Sequence, residues 1–172
     1  MSQLSYQQWD AIADSYIPLL ALMCAVHLSY FFLKDTACFK HSILAYSKQT
    51  ALRILAIILS IIWVYALMFL DENLKIWPSI TIDEQVLDYS THTALALVFS
   101  CYLFCSSLSS QPLLSFIITL SMVLYFLLMK YQNYHTFADM FTTTMIVLPP
   151  MYLIMKKSTR PFIIHTPLTN TL

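Results

Sequence analysis

The chain has 172 residues, 59% hydrophobic, 15% aromatic and only 10% charged, whereas soluble domains carry roughly a quarter of their residues as charges. Nine basic residues balance nine acidic ones, so no net positive field marks a nucleic-acid partner. Glycine is absent, which excludes Gly-rich phosphate loops and GxxxG helix packing.

In chain order, the first element is residues 1–16, whose Leu4, Tyr6, Trp9, Ile12 and Tyr16 read as a short interfacial helix. Five apolar stretches follow at 17–33, 51–70, 91–108, 113–129 and 137–155. Each is long enough for a hydrocarbon core of about 30 Å, which takes about 17–25 helical residues. None alternates as a barrel strand does, and helices satisfy their own backbone in lipid. The expected fold class is therefore all-α: a polytopic membrane bundle of about five transmembrane helices, forming a single domain over 1–172. Pro149 and Pro150 should bend or break the fifth helix near its end. No cleavable signal peptide is expected, because Asp10 and Asp14 stand where a basic segment would be needed. Of the cysteines, Cys101 and Cys105 share a helix face as core residues, and no disulfide is assigned.

Charge orients these elements. Lys34, Lys40, Lys48 and Arg53 flank the first connection, and Lys156, Lys157 and Arg160 fill the tail, making seven of nine bases in two places. With five spans both places share one side, the cytoplasmic one by the positive-inside rule. The N-terminus, the 71–90 loop and the 130–136 loop then face outward, where Asp10, Asp14, Asp71, Glu72, Asp83, Glu84 and Asp88 collect with Lys75 and Lys130.

Ionisable residues at membrane depth are functional candidates because burial is costly. His27 falls inside the first span, His92 opens the third, and His135 with Asp139 opens the fifth, while His41 and His165 fall in solvated segments. His135 and Asp139 are four apart, one turn on the same face. A carboxylate there can fix an imidazole tautomer and leave the other nitrogen to attack, although an interhelical polar contact is the ordinary reading of such a pair. Ser90 and Thr91 precede the third span as an N-cap would. The same helix end also offers N–H groups and a positive dipole to a phosphoryl group.

"DYSTHTA" at 88–94 and "YHTFADM" at 134–140 resemble the second and third motifs of the type 2 phosphatidic acid phosphatase (PAP2) superfamily, in the same order around two spans and a short inner turn. The likeness covers residues 70–155, the catalytic half of such proteins. It implies His135 as nucleophile, Asp139 as its orienting partner, His92 as general acid, and Ser90 and Thr91 as phosphate ligands, with neither metal nor cofactor. Lys75 and Lys130 are the candidate phosphate clamps, each with a surface-anchoring role as the alternative. The arginines of the first and third motifs are missing: "NLKIWPS" keeps only Lys75 and Pro78, and Met129 and Lys130 stand near the second position. In this respect the chain is similar to lipid phosphotransferases of the sphingomyelin and inositol phosphorylceramide synthase type.

The resemblance implies a membrane-embedded lipid phosphatase acting through a phosphohistidine at the outer face of a bacterial inner membrane, N-terminus out and C-terminus in. Its expected partners are the bilayer and a phosphorylated lipid. Lipid phosphotransfer, a non-catalytic protein that keeps the polar cluster as structural glue, and haem or metal ligation by membrane histidines are the alternatives. Tyr89, Tyr131 and Tyr134 are assigned to the interfacial aromatic belt or the site lining. Asp139→Asn is expected to slow turnover without unfolding the bundle.

Overall fold

The computed structural model describes residues 6–38, 43–77, 81–82 and 85–159. The readings placed on residues 1–5, Lys40, His41, Pro78, Asp83, Glu84, Arg160 and His165 lie outside the described residues. The helices are α1 (Tyr6–Cys38), α2 (Ile43–Leu74), α3 (Thr91–Ser107), α4 (Pro112–Tyr131) and α5 (Phe137–Thr159). Between α2 and α3, β1 (Thr81–Ile82) and β2 (Gln85–Val86) form a minimal antiparallel hairpin with Thr81 opposite Val86.

Four of these helices, α1, α2, α4 and α5, contain segments long and apolar enough to cross a bilayer, as an integral membrane protein requires. α3 is apolar but has 17 residues, about 25 Å at 1.5 Å per residue. Its position explains its composition, because it packs against all four other helices and has buried residues around its circumference. The lipid-facing work falls to the outer helices. On α4, Leu113, Phe116, Leu120, Leu124 and Leu127 are exposed, while Ser115, Ile118, Met122 and Tyr125 turn inward.

Without glycine, close helix approach rests on other small residues. Ala13, Cys24, Ala56, Ser60, Ala94, Ala96 and Ser100 are all buried. The Ser107 and Ser115 hydroxyls meet at 2.7 Å across the α3–α4 connection. That connection is tight because Gln111 N–H closes on the Ser107 carbonyl at 2.7 Å and Pro112 starts α4, where its missing N–H costs nothing.

Two expectations need correction. Residues from Tyr6 onward do not lie as a separate interfacial helix but belong to the 33-residue α1, about 50 Å long. Pro18 removes one internal N–H without ending that helix. α5 likewise runs through Pro149 and Pro150 to Thr159. Of the expected bend or break, the break is absent, and packing on α2 and α3 holds α5 together through the two prolines.

The bundle has two chemically distinct ends. At one, Trp9 of α1 meets Tyr131 edge-on at 6.2 Å, and the 70–90 connection and the start of α5 are bonded together. At the other, Gln49 of α2 donates to the Ser158 carbonyl at 2.6 Å, and the Arg53 guanidinium lies 4.9 Å from the Phe31 ring. A desolvated cation–π contact supplies about 2 kcal/mol, less than the several kcal/mol that burying a charge costs.

Candidate functional site

Two connections, α2–α3 and α4–α5, build the acidic, histidine-bearing end. α2 closes on Lys75, which adopts φ 52° and bonds its N–H to the Asp71 carbonyl at 2.8 Å. This is a left-handed helix stop made by lysine in a chain that has no glycine to spend there. The Asp71 carboxylate then accepts the Trp77 N–H at 2.7 Å, and Trp77 sinks to 1% exposure with its indole N–H on Thr142 of α5 at 3.2 Å. Tyr89 packs edge-on against Trp77 at 4.8 Å and donates to the Val64 carbonyl at 3.1 Å. Tyr89 is thus a core anchor and not a belt residue, and burial followed by the charge of Asp71 raises its phenol pKa.

α4 ends in a Schellman motif: Asn133 takes φ 57°, its N–H bonds the Lys130 carbonyl, and Tyr134 N–H bonds the Met129 carbonyl, both at 3.1 Å. Two residues later Thr136 caps α5. Its hydroxyl accepts the Asp139 N–H at 3.2 Å, and the Asp139 carboxylate accepts the Thr136 N–H and hydroxyl at 2.7 and 2.8 Å. This is a capping box in which aspartate takes the usual glutamate position. His135 is held in the two-residue gap between the helix stop and the cap.

The arrangement of carboxylates differs from the expected one. Asp139 is buried, and its second oxygen accepts the Asp88 N–H at 2.9 Å, so the carboxylate is committed to three backbone and hydroxyl donors. The carboxylate recorded against the His135 ring is that of Asp88, with 3.9 Å between Nδ1 and Oδ2. Asp139 therefore pins the backbone of Asp88, and Asp88 presents its charge to His135. Burial lowers the pKa of His135, while Asp88 and then Asp139 pull it up and His92 pushes it down. The two histidines and two carboxylates share one electrostatic neighbourhood.

His92, in the first turn of α3, is exposed and stacks on Tyr134 with ring centroids 6.3 Å apart. The Tyr134 hydroxyl donates to Asp10, so the N-terminal part of α1 is tied to the ring that stacks on His92. Ser90 is fully buried as the α3 N-cap: its hydroxyl accepts the Thr93 N–H at 3.3 Å and donates to the Thr93 hydroxyl at 2.8 Å, and its N–H is held by Thr143 at 3.1 Å. The cap role, the ordinary one for this residue type, occupies the side chain that the motif assigned to phosphate. Thr91 is half-buried, and its hydroxyl has no chain partner among the described residues. Lys75 and Lys130 are exposed, and neither forms an ion pair with a described residue.

Arg53 sits at the opposite end of the bundle, so no described arginine reaches His92 or His135. His27 is half-buried, with its Nδ1 3.2 Å from the Tyr102 hydroxyl. Spacing offered no route to the roles of Asp88, Asp10 and Tyr134, because their partners lie 47, 124 and 42 residues away. The only hint was the density of polar residues in 88–93.

No protein-family model matches the chain, and neither the characterised proteins nor the solved structures compared with it include a similar one.

Proposed function

We propose that the chain is a lipid phosphatase that uses His135 as nucleophile and His92 as general acid, within a PAP2-like five-span fold whose histidine end faces away from the cytoplasm. The observation that carries this reading is the meeting of His92, His135, Asp88 and Asp139 at one end of the bundle, although their sequence segments are separated by two helices.

With its Nδ1 proton directed toward Asp88, His135 attacks phosphorus through Nε2. The P–N bond forms as the P–O bond to the lipid breaks, and His92 gives its proton to the leaving oxygen. A water then attacks the phosphohistidine, His92 takes up the water's proton, and phosphate leaves as the P–N bond breaks. Thr91 and the free N–H groups of the first turn of α3 are the polar contacts for the phosphoryl oxygens. Lys75 and Lys130 supply cationic charge that no arginine supplies here, as point charges without a bidentate fork.

A second reading has its own support: the closed bonding of Asp139, Ser90 and Thr143 is what a purely structural polar cluster needs. Phosphate release from phosphatidic acid, phosphatidylglycerophosphate and isoprenyl diphosphates by the detergent-purified protein separates the two. The catalytic reading expects release that His135→Ala abolishes and an acid-labile phosphohistidine trapped on the parent chain. Equal release by parent and variant sinks it.

A further inference from the structure

At the end of the bundle away from His92 and His135, one side chain lacks what its chemistry requires. Arg53 of α2 is only 8% exposed, and its Nε is buried with no hydrogen-bond partner. No described carboxylate lies within ion-pair distance of it. Its contacts are of another kind. Phe31 of α1 lies against the guanidinium at 4.9 Å, and His27 and Tyr102, bonded to each other, are near enough to feel its charge. None of these brings a negative charge, and a ring face does not replace one for a buried guanidinium.

Two neighbouring features indicate what does. One turn along α2, Ile54, Ile57 and Ile58 form one wall of an apolar groove of about 160 Å³, with Leu28 and Ala25 of α1 opposite. Exposed Lys48, Lys156 and Lys157 stand at the same end, where Gln49 ties α2 to α5. Apolar walls beside a buried guanidinium, with lysines around, suit a ligand that is part hydrocarbon and part anion. Basic pockets between membrane helices on the cytoplasmic side hold anionic headgroups in this way, and the planar arginine fork matches phosphate oxygens.

We infer that Arg53 anchors a structural binding site for the phosphate of an anionic phospholipid, whose acyl chain lies in the α1–α2 groove. The site is separate from His92 and His135 and needs no catalysis there.

Thermal unfolding of the full chain in neutral detergent tests it, with added phosphatidylglycerol, phosphatidylcholine or inorganic phosphate. Phosphatidylglycerol at a hundredfold excess over its Kd should raise the midpoint by about 5 °C or more, and the other two should raise it far less. Arg53→Met should unfold at or above the parent midpoint in detergent alone and lose the phosphatidylglycerol response. Arg53→Lys, which keeps the charge but not the fork, should retain less than half of it. A full response in either variant overturns the proposal, and Arg53→Lys decides alone if Arg53→Met does not fold. An equal response to inorganic phosphate overturns the lipid assignment.

Discussion

Asp139 shows how a residue's job follows from its donors. A carboxylate that accepts two N–H groups and a hydroxyl while buried is first a piece of architecture. Asp139→Asn keeps the volume but turns an amide N–H₂ toward a donor, so it should lower stability by about 2 kcal/mol, read as a drop in thermal midpoint in detergent. The sequence-based expectation of an intact bundle with slower turnover is revised accordingly. Asp88 is the residue to probe for tuning. Burial holds His135 below the ordinary imidazole range, so its neutral, nucleophilic form persists to lower pH, and Asp88 opposes that shift. Removing the charge in Asp88→Asn lowers the pKa further. Under the catalytic reading, the acid limb of kcat/KM should move to lower pH while kcat falls. An unmoved limb would contradict the coupling.

At the scale of elements, the absence of glycine leaves its mark in the helix stops. Among the described residues two are left-handed and neither is glycine, Lys75 after α2 and Asn133 after α4. Asparagine tolerates that region far better than lysine. Lys75→Gly should therefore gain about 0.5–1 kcal/mol, and Asn133→Ala should lose about 1 kcal/mol, both read from unfolding midpoints. These stops place Trp77 and His135, so the helix ends and the candidate site are one construction. α1 contributes at the same scale. Its extension beyond Pro18 carries Asp10 to Tyr134 and Trp9 to Tyr131, which a separate interfacial helix would not do.

For the whole molecule, the bundle joins the N-terminal part of α1, the α2–α3 connection and the α4–α5 connection at one end, and Lys48, Arg53, Lys156 and Lys157 at the other. If five helices traverse the membrane, single cysteines at Lys75 and Lys130 should react with an impermeant maleimide from one side of sealed vesicles. Cysteines at Lys48 and Lys157 should react only from the other. Labelling of Lys75 and Lys157 from the same side would rule out this topology.

Sequence by itself determined the helical class, the approximate limits of the apolar segments and the separation of acidic from basic ends. Those properties come from composition and charge summed along contiguous stretches, which no packing detail can erase. It also brought His92, His135 and Asp139 to notice. Only the tertiary structure decided which carboxylate faces His135, because Asp139 is taken up by the Asp88 N–H and Thr136 donors and Asp88 is left beside the ring. The third helix's central place, the merging of 6–16 into α1, and the unpaired burial of Arg53 were likewise decided there. Each depends on contacts between residues distant in the chain, and local propensity carries no record of those.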